Sequence, residues 1–191
     1  MTASAVSICS NALVMLGAQS INSLSESVDR ARICNAVYET VRDDVLRSHF
    51  WNCAIKRVSL SPDVTTPAFD YSYQYTLPSD WIRTCSIGEY GEEVDFKPEG
   101  RKILCDESSL KLVYVYRNED VTTWDASLVN AMTYAIKAAI AYPITQSASM
   151  LQVAQQELSM YMKRARAVDG QDAPPETMGD FPLLAARMGD W

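Results

Sequence analysis

The sequence predicts an α+β protein, mainly α: an antiparallel four-helix bundle with a small antiparallel β-rich insert and an extended C-terminal tail. Three observations carry that expectation. Apolar residues recur every three or four positions at both ends of the chain, alternate in its middle, and lose all period after residue 168. The division that follows is one domain over residues 1–168 and a tail over 169–191.

The first helix is expected over about residues 3–17. Ile8, Ala12, Met15 and Leu16 share one face, and Gly17 supplies a C-terminal stop. A second, long helix is expected over about 26–48. Ser23 and Glu26 have capping-box spacing, and Val28, Ala31, Cys34, Val37, Val41 and Val45 follow at intervals of three or four. Its opposite face is charged: Asp29, Arg30, Arg32, Glu39, Arg42, Asp43 and Arg47. It reads either as a solvated face or as a subunit contact.

From about 53 to 120 the period becomes two. Ala54, Val58 and Leu60 suggest one strand, and Tyr71, Tyr73, Tyr75 and Leu77 line a second. A meander follows, with strands at residues 94–97, 102–105 and 110–117 and a turn at Pro98-Glu99-Gly100. In the last strand Leu112, Tyr114 and Tyr116 face one way and Val113 and Val115 the other. Four to six short strands are expected in all.

Asp125 can cap a third helix over about 125–142, through Val129, Met132, Ala135, Ile136 and Ile140 to the disturbance at Pro143. The fourth, over about 147–167, carries Met150, Leu151, Ala154, Leu158, Tyr161 and Met162 as an apolar stripe. Beyond it the tail contains Pro174-Pro175 and five acids, Asp169, Asp172, Glu176, Asp180 and Asp190, against Arg187 alone.

Composition narrows the function classes. With 191 residues, 48% hydrophobic and 21% charged, the body has enough apolar material for a core. Seventeen Lys and Arg against 24 Asp and Glu give a net charge of −7, which disfavours a general nucleic-acid binder. The most apolar run, 135–144, is short and contains Lys137 and Pro143, so no membrane span is expected. Met1-Thr2-Ala3-Ser4-Ala5 lacks the basic start of a secretory signal. The cysteines, Cys9, Cys34, Cys53, Cys85 and Cys105, form no C-x-x-C pair and suggest neither a zinc site nor a disulfide framework.

Catalytic patterns are sparse. The single histidine, His49, precedes Phe50-Trp51 and reads as an edge-of-core residue. There is no G-x-S-x-G elbow, phosphate-cradling glycine loop or H-E-x-x-H helix. Carboxylate pairs at Asp43-Asp44, Glu92-Glu93 and Glu119-Asp120 leave a glycan hydrolase as one alternative, since that chemistry needs only two acids across a cleft. Lys163, Arg164 and Arg166, at the end of the fourth helix, leave a DNA-binding module as another. Helix-dipole complementarity accounts for the same cations. No catalytic residue, cofactor or metal is expected.

Five motifs stand in order along the first 85 residues. They are Asn11-Ala12-Leu13-Val14-Met15-Leu16-Gly17-Ala18, Ile21-Asn22-Ser23-Leu24, Arg42-Asp43-Asp44-Val45-Leu46-Arg47, Trp51-Asn52-Cys53-Ala54 and Tyr75-Thr76-Leu77-Pro78-Ser79-Asp80-Trp81-Ile82-Arg83. Together they resemble the tail tubular protein A family, the head-to-tail adaptors of short-tailed bacteriophages. Cys53 departs from the family, which usually has an aromatic residue there.

The resemblance implies a structural virion protein rather than an enzyme. It would assemble in the host cytoplasm into a ring, usually of twelve identical subunits, in the portal-proximal tail. That ring would sit beneath the portal protein, receive a nozzle protein like tail tubular protein B, and pass double-stranded DNA without sequence-specific binding. On this reading Arg30, Arg42 and Arg47 meet acids of a neighbouring subunit, and Phe181, Leu183, Leu184, Met188 and Trp191 dock the tail on the portal.

Overall fold

The computed structural model describes residues 3–89 and 94–172. It corrects the expected architecture. Among the described residues the chain is α+β, but four helices share it with two separate three-stranded antiparallel sheets; an antiparallel four-helix bundle with a small β-rich insert is not what forms. The physical reason is that the strands close a core of their own and also supply a layer to the helices.

The helices are α1 (Ala5–Met15), α2 (Asp29–Arg47), α3 (Ala126–Thr145) and α4 (Ala148–Gln171). Their ends follow from local chemistry. Ser4 and Ser7 cap α1 reciprocally, and the chain leaves it through Gly17 at φ +78, where a side chain would be strained. Glu26 behaves differently from the capping-box expectation. Its carboxylate accepts from the backbone N–H groups of Asn22 and Ser23, at 2.6 and 3.1 Å, closing a turn, and the helix starts only at Asp29. Asp125 caps α3 through the Leu128 N–H at 2.8 Å. Pro143 does not end α3; in the last turn it forfeits one hydrogen bond, and the helix continues to Thr145.

Helix α3 is the hub, packed by α1, α2 and α4, whereas α1 and α2 touch each other only slightly. Helix α4 buries only Ala154, Ala165 and Asp169, so one long side of it stays in solvent, unlike a member of a closed bundle.

The first sheet has the order β1 (Ile55–Leu60), β6 (Leu110–Tyr116), β3 (Trp81–Ile87), with Val58 opposite Leu112 and Arg83 opposite Val115. The second has the order β2 (Tyr73–Thr76), β5 (Lys102–Cys105), β4 (Phe96–Glu99). Pro98 sits in β4, an edge strand, where its missing N–H breaks no ladder. The β4–β5 turn passes through Gly100 at φ +62.

Strand alternation assigns the two faces of the first sheet to two cores. Ile55, Ile82, Cys85 and Val115 join the helices. Val58, Leu60, Ile87, Leu112 and Tyr114 meet Tyr75, Leu77, Ile103 and Cys105 of the second sheet region. The expectation that both faces of β6 are covered therefore holds for Leu112 and Tyr114 on one side and Val115 on the other, while Val113 is half-buried.

Candidate functional site

The resemblance motifs map onto structural joints. Trp51 is fully buried where α2 gives way to strand, and its Nε1 donates to the Val45 carbonyl at 2.9 Å. The Leu77-Pro78-Ser79-Asp80 segment ties the two sheets together. Leu77 N–H donates to the Arg101 carbonyl, Arg117 N–H donates to the Asp80 carbonyl, and the Asp80 carboxylate receives Lys56 Nζ at 2.6 Å and Tyr114 Oη at 3.1 Å. Burial opposes the charge on Asp80, yet these two donors hold its carboxyl below its ordinary value. Burial, and the proximity of Asp80, push the Tyr114 hydroxyl up to about 12.

The three arginines expected at a subunit boundary separate. Arg42 is 7% exposed and lies within the chain, against Asp43 at 3.0 Å and Glu119 at 3.4 Å. Asp43 also receives Arg117 at 2.7 Å, so α2 is joined to the end of β6 by an ion network. Arg47 is exposed along its length but donates to the Ile82 carbonyl at 2.6 Å. Arg30 is half-buried and makes one long bond to the Ser20 carbonyl, 3.4 Å. Periodicity placed all three on one charged face. It could not show that β6 brings Glu119 and Arg117 onto that face.

Three of the candidate carboxylates are engaged within the fold. Asp43 and Glu119 are held by guanidinium groups, and Asp120 caps the short turn Val121–Thr123 through the Thr122 N–H. Glu92 and Glu93 lie outside the described residues. A trough of about 570 Å³ runs over the first sheet beside Arg57, Ser59, Leu112 and Val113; its described lining has one carboxylate, Glu89, which pairs with Lys111. Among the described residues no three His, Cys, Asp or Glu side chains are grouped to hold a metal, and no helix is long and apolar enough to cross a membrane.

Two residues matter more than their sequence positions suggest. Asp169, counted with the acidic tail, is buried on α4. Its carboxylate meets His49 Nε2 at 3.0 Å and the Asn52 N–H at 3.2 Å, and its carbonyl accepts from Asn52 Nδ2. The signal was present: Ala154, Leu158, Ala165 and Asp169 continue one stripe at intervals of four, seven and four. Asp63 is the second. It anchors the loop of residues 61–72 through Gln74, Thr76 and Lys102, while Asp106 holds the other end at the Ser72 N–H.

That loop presents Val64, fully exposed, and Phe69, 76% exposed; with Met160 of α4 they are the most exposed large apolar side chains described. Along α4, Val153, Met160 and Val168 alternate with Lys163, Arg164 and Arg166, all exposed, and no acid partners these cations among the described residues. The tail residues Phe181, Leu183, Leu184, Met188 and Trp191 lie outside the described residues. No protein-family model matches the chain, and no curated protein matches it.

Proposed function

We propose that the chain is a structural adaptor of a bacteriophage virion, a non-enzymatic subunit that closes into a ring between portal and tail nozzle and leaves a passage for double-stranded DNA. The five ordered motifs support this reading through their resemblance to the tail tubular protein A family. The structural observation that carries it is the placement of exposed apolar side chains. Val64 and Phe69 stand on a loop pinned at both ends, and Val153, Met160 and Val168 stand on the outer side of α4. An adaptor needs several contact surfaces on a rigid body, and large apolar side chains presented this way mark such surfaces.

The arginine contact is narrowed accordingly. Arg42 serves the inside of the subunit, which leaves Arg30 and the exposed stem of Arg47 for a neighbour. Closed head-to-tail contact of unlike surfaces generates a ring. The exposed cations of α4, without an acid partner among the described residues, favour a second reading, a DNA-binding module, and counterion release would make that binding strongly salt-dependent.

The test replaces Val64 and Phe69 together by Asp. The strands beneath the loop keep their hydrogen bonds, so circular dichroism and thermal midpoint are expected to stay near wild type while sedimentation shows ring formation lost. Undiminished assembly by this double variant would remove the loop from the contact surfaces.

A further inference from the structure

Strand β2 alternates between two environments. Tyr73 and Tyr75 pack into the core between the sheets, so Gln74 stands on the opposite face, in register with Leu104 of β5 and, beyond it, Lys97 of β4. The next row on that face is Thr76, Lys102 and Glu99. Residues 66–71 and the side chains of this face line a cavity of about 330 Å³, with Gln74 and Leu104 in its wall. Both are only 9% exposed, and the Gln74 side-chain amide makes no hydrogen bond among the described residues. A buried amide costs free energy until something pairs with it, and the space beside this one is the cavity.

The lining is balanced in charge, with Lys97 and Lys102 against Asp70 and Glu99. Lys97 is already paired with Glu99 at 3.1 Å, and Lys102 with Asp63 at 3.0 Å. An ionic ligand therefore meets no excess of opposite charge. The walls offer mixed hydrogen-bond donors and acceptors, with Leu104, Pro67 and the Tyr71 ring as apolar surface.

We propose that this cavity is a binding site for an uncharged sugar ring. A hydroxyl both donates and accepts, so neighbouring hydroxyls satisfy both ends of the Gln74 amide and reach the Asp70 carboxylate, while the C–H face of the ring lies on the apolar walls. The volume sits at the lower end of the roughly 300–1,000 Å³ that small-molecule sites span. The walls are set before a ligand arrives. Asp63 N–H donates to the Gln74 carbonyl at 2.8 Å, the Ser72 N–H donates to Asp106 at 2.8 Å, and Tyr71 N–H closes onto the Phe69 carbonyl at 2.9 Å with Asp70 at φ +70. Such preorganisation lowers the cost of binding. The sugar is bound and no bond of it is cleaved. The inference rests on this cavity and not on the adaptor reading.

The experiment is saturation-transfer NMR on the full chain with D-glucose, D-galactose, D-mannose and N-acetyl-D-glucosamine, set against glucuronate, glucosamine and glycerol. Transfer is expected to the ring protons of at least one neutral sugar, above that to the charged sugars, and none to glycerol. Gln74→Leu removes the amide and is expected to weaken that binding roughly tenfold in titration. Ala68→Trp, at an exposed position of the loop, fills the cavity and is expected to abolish binding with circular dichroism unchanged. Ring formation should survive Gln74→Leu, which separates this site from the subunit contact. Absence of transfer to every neutral sugar, equal transfer to glycerol, a preference for glucuronate or glucosamine, or undiminished binding by Ala68→Trp would overturn the proposal. If Gln74→Leu folds poorly, Ala68→Trp decides.

Discussion

Asp80 shows how a turn residue becomes a joint. Its carboxylate collects Lys56 from β1 and Tyr114 from β6, and Lys56 Nζ also lies 3.8 Å from the centre of the Tyr116 ring. Because the folded carboxyl lies below its unfolded value, the stability it contributes is present above pH ~4, where the unfolded group is charged, and is lost as pH falls through the folded value. Asp80→Asn removes that contribution. Urea titrations are expected to show the variant less stable than wild type at pH 6 to 7, with the gap closing below pH ~4; a gap independent of pH would mean that the carboxylate's charge is not what the site uses. Asp80 lies in a turn, since Trp81 N–H closes onto the Pro78 carbonyl at 3.1 Å. Its acid–base partners were not legible, because Lys56 and Tyr114 are 24 and 34 residues away.

Periodicity made the helices and five of the six strands described legible, missed β3 (Trp81–Ile87), and left the partners of all of them illegible. Ala12, Cys34, Ile136 and Ala154 fall on inward faces as their spacing requires. The same spacing cannot tell a bundle core from a sheet surface, which is why α2 and α3 were expected to close a bundle when Ile82 and Val115 complete their core. Pairing was hidden for the same reason: β6 lies between β1 and β3, so its partners come from well before it in the chain. Caps were legible where one side chain decides them, as at Asp125, and misleading at Ser23 and Glu26, where the carboxylate closes a turn ahead of the helix. The α3–α4 connection offers a direct check of element-level reasoning. Gln146 ends α3 at φ 51 and ψ 26, the left-handed conformation that costs any residue with a Cβ. Gln146→Gly is expected to stabilise the protein by about 0.5–1 kcal/mol in denaturant unfolding; a destabilised variant would show that the glutamine side chain outweighs its backbone strain.

At the scale of the whole molecule, two cores share the first sheet, so the helices and the second sheet region are held as one body. The proposed contact surfaces sit on both parts: the loop of residues 61–72 on the β side and α4 on the helical side. Residues 179–191 belong to the proposed portal contact through Phe181, Leu183, Leu184, Met188 and Trp191. Deleting them is expected to leave thermal unfolding near wild type, because the buried residues described in both cores lie between Ile8 and Ala165, and to abolish co-sedimentation with portal. Retained portal binding by the truncated chain would assign the contact to another surface. The central proposal, a ring-forming adaptor, is tested most directly by native mass spectrometry of the 21.3 kDa chain with and without the portal ring that the proposal requires. The account predicts a closed oligomer, of twelve subunits on the family pattern, bound to the portal as a single species. A chain that stays monomeric with the portal ring supplied would contradict it.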